Sequence, residues 1–365
     1  MQTASKVNDT IKLGIIGLHN HYHIYPMADY LLKGLPGLTL ACVYDERTSL
    51  AKEFATKYQV PDVCPSRESL LADSDADAVL IMSDTASHHA DLLASISQKK
   101  HVLLDKPIAI NVREATEMVT AAHQAGIVFM MAYLIRFLPP YRKAKELIDE
   151  GVIGRPLSMR IGIRCPLTFI RDNPNASEPG WYTDPKRAGA GGFLDHGIHY
   201  ADTLRFLLGS EPVEVFGKVA KLTDHRIGVD DYGVCVVTTD KGEIVTIEST
   251  WHAPAWYAPL TSQEECLIVG TDGEIHIHYQ TSPQLEVSGK GNTGRLYYDW
   301  LGEERYEVCY RDVLLEFADT IRGRRKLSVS GEDGKIALQL IEASYESSKT
   351  GKVVHLEPDP FSTKH

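Results

Sequence analysis

The feature that most constrains the fold is an alternation of short apolar runs with helical stretches between residues 11 and 134. The apolar runs are IKLGIIG, LTLACVY, ADAVLIMSD, HVLLDKP and IVFMMAYL. Continuous apolar runs are typical of buried parallel strands, and helices between them return the chain to the same edge of the sheet. We therefore predict an α/β fold that begins with a doubly wound parallel (Rossmann) sheet. A short edge strand near Val63 would make ADAVLIMSD its fourth strand.

The pattern changes after Arg136, where alternating runs such as DYGVCVVTTD, KGEIVTIEST and EECLIVG follow one another across short DG and KG turns. Alternation with tight turns is typical of antiparallel sheets. Helices are predicted over 141–150, 192–205, 311–322 and 335–349. We therefore expect residues 1–135 to form a dinucleotide-binding domain. Residues 136–365 would form an α+β domain with a mostly antiparallel sheet, used for substrate binding and oligomerisation.

The charge and the apolar pattern narrow the classes of partner. The net charge is -11, and phosphate backbones bind basic surfaces, so we expect no nucleic-acid partner. We find no apolar stretch long enough for a membrane span or a signal segment. The six cysteines are scattered without CxxC spacing, which is usual for proteins of a reducing compartment. We expect a cytoplasmic protein.

The turn after the first strand, GIIGLHNHYHIY, lies where dinucleotide-binding proteins carry Gly-x-Gly-x-x-Gly. Only Gly17 is in place, and His19 and Tyr22 occupy the second and third glycine positions. Asp45 ends the second strand, where a carboxylate can bind the adenosine ribose and would repel a 2′-phosphate. We therefore favour NAD as the cofactor, while the nearby Arg47 leaves NADP open.

Histidines are concentrated at two strand ends, as His19, His21 and His23 after the first strand and as His88 and His89 after the fourth. The first and fourth strands of a doubly wound sheet are neighbours at the ligand crevice, so these side chains could converge. Imidazole suits zinc and iron, but no carboxylate or thiolate is spaced to complete a ligand shell. We expect some of them to line the cofactor crevice and the others to pack or face solvent, with no metal.

The stretch GAGGFLDHGIHYAD carries the strongest signal for proton-transfer chemistry. Asp195 and His199 stand four residues apart and share one face of a predicted helix, with Asp202 on nearly the same side. A general base needs a neighbouring group that tunes and orients it. The alternative interpretation is an amphipathic helix whose polar face is merely solvated.

A second candidate is Lys106, in the sequence Asp105-Lys106-Pro107 at the end of a strand. Proline ends the pairing of the strand and holds the backbone extended before it. The lysine would then extend from the carboxyl edge of the sheet, where it could hydrogen-bond a substrate oxygen. A solvated loop lysine is the alternative.

Three segments together resemble the Gfo/Idh/MocA family of NAD(P)-dependent sugar and polyol oxidoreductases. They are the strand–helix series with DKP, the run RFLPPYRKAKELIDEGVIGRP, and AGGFLDHGIHYADTLRFLLG. The resemblance extends from Ile11 to about Val354. It implies that Lys106, Asp195 and His199 are the catalytic residues, and that the protein forms homodimers or homotetramers.

The crevice positions and the resemblance together imply the remaining site residues. The residues expected at the cofactor are Gly17, His19, Asn20, Asp45, Asp84, His89 and Lys106. The residues expected at the substrate are Arg136, Trp181, Tyr182, Lys186, Asp195 and His199. The loops 164–187 and 251–262 would select the substrate.

The expected reaction is hydride transfer between a secondary hydroxyl of a sugar, cyclitol or polyol and NAD(P). Two alternatives stay open. One is an NAD-assisted lyase or glycoside-cleaving enzyme that acts through a transient ketone. The other is a non-catalytic sugar or nucleotide sensor on a dehydrogenase fold.

Overall fold

The structure is a computed structural model that describes residues 10–167, 180–223, 226–252, 263–278, 281–291, 294–302 and 306–357. The two loops that were expected to select the substrate lie partly outside the described residues, at 168–179 and 253–262.

The first half of the chain forms a six-stranded parallel sheet. Its strands are Ile11–Ile16 (β1), Leu38–Tyr44 (β2), Asp62–Val63 (β3), Ala78–Ile81 (β4), His101–Leu104 (β5) and Phe129–Met131 (β6). Their order is β3-β2-β1-β4-β5-β6, and each neighbouring pair is parallel. This is the doubly wound order that was predicted, with the edge strand β3 in place. The carboxyl ends of β1 and β4 therefore lie side by side.

Five helices connect these strands. They are His21–Leu32 (α1), Thr48–Tyr58 (α2), Arg67–Asp73 (α3), Thr85–Ser97 (α4) and Val112–Ala125 (α5). The helix ends follow from local chemistry: the Asp84 carboxylate accepts the Ser87 N–H at the start of α4, and Gly126 ends α5 in a left-handed conformation. The short helix α3 was not predicted.

The second half forms a nine-stranded sheet. Its strands are Pro156–Arg164 (β7), Pro212–Ala220 (β8), Tyr232–Thr239 (β9), Ile244–Thr250 (β10), Gln263–Gly270 (β11), Glu274–His278 (β12), Leu285–Ser288 (β13), Leu296–Tyr298 (β14) and Val354–His355 (β15). The order is β14-β13-β12-β11-β7-β10-β9-β8-β15. Only the central β7–β10 pair among these strands is parallel, so the prediction of a mostly antiparallel sheet is confirmed.

Helices cover one face of this second sheet. The helices of this half are Pro139–Asp149 (α6), Pro185–Ala188 (α7), Gly192–Leu208 (α8), Val308–Ile321 (α9) and Gly331–Thr350 (α10), with 3₁₀ turns at Leu134–Phe137 and Gly180–Thr183. Close packing of α10 on β8 requires Gly217, because a Cβ there would lie 2.6 Å from the Ser344 carbonyl oxygen. The change from one sheet to the other falls between β6 and β7, near the domain boundary that was predicted at residue 136, which stays a prediction.

The two halves meet at the carboxyl edge of the parallel sheet. Lys106, just after β5, reaches Asp195 in the first turn of α8. The functional residues therefore lie between the sheet edge and the amino end of α8. No helix in the described part of the chain is long and apolar enough to cross a membrane.

Candidate active site

Gly17 gives the turn after β1 a shape that other residues cannot adopt. Its φ is +81°, and a Cβ at this position would lie 2.5 Å from the Cα of Ser83. The backbone of this turn therefore lies directly against the chain that leaves β4. The close approach forms the floor of the crevice between β1 and β4.

His19 and Asn20, two and three residues after Gly17, use their backbone N–H groups within the protein. The N–H groups of His19 and Asn20 both donate to the Met82 carbonyl, at 3.0 and 3.3 Å. The His19 side chain is buried, and this burial together with Arg47 holds the pKa of its imidazole below the usual value. His19 is therefore a neutral group beside the crevice.

Asp45 lies at the end of β2, where it was predicted. Its carboxylate accepts the Leu18 N–H at 2.6 Å and the Arg47 Nε–H and Nη2–H at 2.8 and 2.9 Å. Burial alone would raise the pKa of Asp45, but its pairing with Arg47 outweighs burial and holds the pKa below the usual value. The carboxylate is ionised, and Arg47 is its immediate partner.

These residues fit a dinucleotide cofactor. Gly17 opens the crevice, and Asp45 provides an ionised carboxylate at its edge. Two buried polar atoms beside the turn, His19 Nδ1 and Asn20 Oδ1, have no hydrogen-bond partner among the described residues. Such atoms usually have a partner in the functional state, so a ligand in the crevice would satisfy them.

A cluster of buried polar residues beside the crevice has Lys106 and Asp195 at its centre. The Lys106 Nζ donates to the Asp195 carbonyl at 2.7 Å and to its Oδ1 at 2.6 Å. The other carboxylate oxygen accepts the Trp251 indole N–H at 3.1 Å. Burial would raise the pKa of Asp195, but His196 and Lys106 outweigh burial and hold the pKa well below its usual range. The pair fixes the ammonium group of Lys106 in position.

His199 follows Asp195 by one turn of α8 and is also buried. Its ring lies edge-on to the rings of His23 and Tyr133, with centroid separations of 6.3 and 5.9 Å. Burial, with the added effect of the Lys106 charge, holds the pKa of His199 well below its usual value. The imidazole is therefore neutral, and its Nδ1 has no partner in the described chain. A neutral imidazole with a free nitrogen can act as a base.

A histidine–aspartate pair connects this cluster with the crevice. The His23 Nδ1 lies 2.7 Å from Asp105 Oδ1, and the Asn20 amide donates to the other oxygen of the same carboxylate. Asp105 precedes Lys106, and His23 packs against His199. The sequence placed His23 only in a general histidine cluster, because its partner Asp105, just after β5, lies far away along the chain.

Lys106 and Asp195 line a small pocket with three aromatic residues. Trp181 and Tyr182 stack on one another with their centroids 3.9 Å apart. The Trp181 indole N–H also donates to the His19 carbonyl at 3.4 Å, which connects this wall with the crevice. The third aromatic residue, Trp251, was not singled out from the sequence, but it begins the loop 251–262 that was expected to select the substrate.

Arg187 extends from α7 to the far side of the crevice. Its Nε donates to Asp84, and its Nη2 lies 2.9 Å from His19 Nε2 and 3.5 Å from Glu46 Oε1. Burial would raise the pKa of Asp84, but Ser87 and Arg187 outweigh burial and hold the pKa below the usual value. Arg187 was not among the predicted site residues.

Two of the predicted site residues make contacts elsewhere. The ring of His89 pairs with Glu117 at 2.9 Å between α4 and α5, so the structure does not bring it to the crevice. Lys186 is exposed on α7 and does not line the pocket, although its neighbour Arg187 reaches the crevice.

Arg136 was expected to contact the substrate. The structure instead places it in a buried network of ion pairs. Its Nε donates to Asp202 at 2.8 Å, its Nη1 donates to the Ser328 carbonyl at 2.6 Å, and its Nη2 lies 3.1 Å from Asp333. These contacts occupy the guanidinium group. The second acid of the predicted face, Asp202, is therefore the partner of Arg136 and is not available to His199.

The five histidines do not converge on one point. The His21 ring packs on Tyr22, and the buried His88 lies within hydrogen-bond distance of the carbonyls of Pro107 and Ser83. Within the described ranges, no group of three or more His, Cys, Asp or Glu side chains is placed to hold a metal ion.

Comparison with known proteins identifies the two halves. The model of an oxidoreductase family with an NAD-binding Rossmann fold matches residues 11–133, and the model of the Gfo/Idh/MocA C-terminal domain matches residues 141–276.

Relatives match over almost the full chain. A myo-inositol 2-dehydrogenase from Thermotoga maritima is 29% identical over 352 residues, which are 95% of this chain and 99% of the relative. The scyllo-inositol 2-dehydrogenase (NAD(+)) of Bacillus subtilis is 26% identical over 353 residues, 95% of this chain and 96% of the relative. The fold of a levoglucosan dehydrogenase solved with NADH and levoglucosan superposes with a TM-score of 0.83 at 23% identity, covering 95% of this chain and 99% of that one. The chain therefore belongs to the Gfo/Idh/MocA family of NAD(P)-dependent oxidoreductases.

Proposed function

We propose that this protein oxidises a secondary hydroxyl of a sugar, cyclitol or related polyol, with NAD as the hydride acceptor. The observation that carries the proposal is the neutral His199 imidazole beside the Lys106–Asp195 pair, at the edge of a dinucleotide crevice. The names of the relatives, which include two inositol dehydrogenases, support a polyhydroxylated ring as the substrate class.

His199 acts as the base in this proposal. Oxidation of an alcohol releases the hydroxyl proton, and a neutral imidazole within reach can accept it. Burial keeps the imidazole neutral before the reaction, and the nearby Lys106 charge opposes its early protonation. In the reverse direction the protonated ring would return the proton to the carbonyl oxygen.

Lys106 binds the same substrate oxygen and stabilises the negative charge that develops on it. An ammonium group has three N–H donors, and the two contacts to Asp195 use two of them. The third donor remains for the substrate. Asp195 holds the lysine in place, and Trp251 in turn holds Asp195.

The cofactor, when bound, takes the hydride from the carbinol carbon. Gly17, His19 and Asp45 would hold it, since they form the floor and the edge of the crevice. Asp45 favours NAD, as its ionised carboxylate would repel a 2′-phosphate, whereas the adjoining Arg47 leaves some capacity for NADP.

The aromatic wall would bind the ring of the substrate. Trp181 and Tyr182 are buried and stacked, and they line the same pocket as Lys106. Their faces can pack against the C–H surface of a sugar or cyclitol while the hydroxyls meet the polar groups.

Substitution of the two reacting side chains tests the proposal. His199→Gln and Lys106→Met should each lower kcat for polyol oxidation by about 10²- to 10⁴-fold, because each removes a group that acts on the reacting oxygen. Binding of NAD, measured by calorimetry, should change little in His199→Gln. The control is His123→Gln, which changes an exposed histidine and should retain wild-type turnover. Wild-type turnover in either active-site variant would contradict the proposal.

The stoichiometry of reduced cofactor separates the alternatives. A screen of inositols and anhydrosugars should give one NADH for each ketone formed. Product formation without accumulation of NADH would favour the NAD-assisted elimination. Ligand binding without turnover across the whole panel would favour a sensor.

A further inference from the structure

Arg187 lies at the meeting point of three strand ends. Its guanidinium group contacts His19 after β1, Glu46 after β2 and Asp84 after β4. The carboxyl ends of β1 and β4 are the position at which a doubly wound sheet binds the phosphates of its cofactor. Arg187 belongs to α7, which lies outside this sheet, and its side chain lies over the crevice.

Two backbone donors of the turn before α1 are already used within the protein. In most such sites, glycines expose backbone N–H groups at a helix amino terminus to the phosphate oxygens. Here the N–H groups of His19 and Asn20 are bonded to the Met82 carbonyl. The imidazole of His19, which replaces a glycine, is neutral because burial lowers its pKa.

The side chains around this position would also repel an anion. Asp84 is ionised, since Ser87 and Arg187 hold its pKa below the usual value, and the exposed Glu46 lies on the other side of the guanidinium group. Arg187 is the cation that contacts both acids. Its planar fork of donors matches phosphate geometry, and its side chain is 36% exposed, so an incoming anion can reach it.

We propose that Arg187 is a cofactor-binding residue that donates hydrogen bonds to the diphosphate of NAD. It exchanges its contacts with Asp84 and Glu46 for the phosphate oxygens when the cofactor binds. A charged side chain from α7 thereby adds donors at a turn in which the N–H groups of His19 and Asn20 are already bonded to Met82. This inference rests on the proposed function, because it assumes that the crevice binds NAD.

The segment that carries Arg187 also carries the aromatic wall. Trp181 lies in the preceding 3₁₀ turn and donates to the His19 carbonyl. The helix α7 begins at Pro185, after Asp184, whose side chain accepts the Lys186 N–H at 2.9 Å. The backbone around Arg187 is therefore held by contacts that do not involve its side chain, so a substitution of that side chain should leave the segment folded.

Fragments of the cofactor provide the sharpest test. We would measure the dissociation constants of NAD, ADP-ribose and adenosine by calorimetry for the wild type, Arg187→Gln, Arg187→Lys and Arg113→Gln. Arg187→Gln should weaken NAD and ADP-ribose by about 10- to 100-fold, the usual effect of losing charged hydrogen bonds, and should leave adenosine unchanged. Arg187→Lys should bind NAD with an intermediate affinity, because lysine keeps the positive charge but lacks the planar set of guanidinium donors. Arg113→Gln, at a side chain that is 72% exposed on α5, should bind like the wild type.

The outcomes separate the inference from the proposed function. Equal loss of affinity for adenosine and ADP-ribose in Arg187→Gln, or no loss for NAD, would overturn the role of Arg187 while NAD binding by the wild type stands. Failure of the wild type to bind NAD at all would overturn the proposed function and this inference together. A weaker salt dependence of NAD binding in Arg187→Gln than in the wild type is a second expected result, since one phosphate contact is lost.

Discussion

At the scale of single residues, the burial of His199 should set the pH range of the proposed oxidation. Burial and the Lys106 charge hold its pKa well below 6.5, so the imidazole is neutral at and above that pH. We predict that kcat/KM for polyol oxidation does not fall between pH 8 and pH 6.5 through protonation of this group. The acid limb should lie below pH 6.5 and is measured by steady-state kinetics across that range.

The variant His199→Gln also shows whether the acid limb of the pH profile comes from His199. The acid limb should be absent from the residual activity of His199→Gln. A limb with an apparent pKa above 6.5 that disappears in this variant would contradict the assignment of a depressed pKa to His199.

The catalytic candidates could be predicted from the sequence because their signals are local. Other site residues could not be predicted, because their positions depend on tertiary packing. The spacing of Asp195 and His199 indicated a shared helix face, and Pro107 indicated where Lys106 leaves its strand; the structure places all three side chains together. Their catalytic roles stay predictions. The sequence favoured Lys186 over its neighbour Arg187, since the direction of a side chain in a four-residue helix depends on tertiary packing.

At the scale of elements, the strand–helix alternation was enough to predict the doubly wound parallel sheet, with its first and fourth strands side by side. The parallel contact between β7 and β10 was not predictable, because these strands lie far apart in the chain and their pairing depends on the packing of α8 beneath them. The helix α3 was missed because seven residues give too little periodicity to recognise.

The ion network around Arg136 joins the elements that border the cleft. It connects the 3₁₀ turn after β6 with α8 through Asp202 and with α10 through Asp333. All three side chains are buried. Asp333 also pairs with Arg205. Removal of Arg136 would therefore deprive the buried Asp202 of its paired cation, and burial already raises the pKa of Asp202. The network is therefore expected to position α8, and with it Asp195 and His199.

We predict that Arg136→Met lowers the free energy of unfolding by about 3–5 kcal/mol, the usual cost of an unpaired buried charge. Urea denaturation measures the change. The matched control is Arg113→Met, which removes an exposed pair with Glu117 and should cost at most about 1 kcal/mol. Equal stability of the two variants would show that the network contributes no more than a surface ion pair.

At the scale of the whole molecule, the nine-stranded sheet has one face that none of the described helices covers. The helices α6, α8 and α10 pack on its inner face. On the outer face, Phe216 pairs with Val236 across β8 and β9, and their exposed fractions are 47% and 44%. Ile244 on β10 lies nearby and is 45% exposed. Apolar side chains that form a continuous patch on a sheet commonly mark a protein–protein contact.

We predict that this outer face joins two copies of the chain. In a two-fold arrangement, the same surface of each copy would meet its counterpart. Val236→Glu would bury a carboxylate of each copy in such a contact, and burial of an unpaired charge is costly. Light scattering coupled to size exclusion should therefore show a smaller assembly for Val236→Glu than for the wild type. Leu32→Glu changes a side chain with a similar exposed fraction, 43%, at the end of α1 and should leave the assembly intact. A monomeric wild type, or an unchanged mass in Val236→Glu, would mean that the outer face is not the contact.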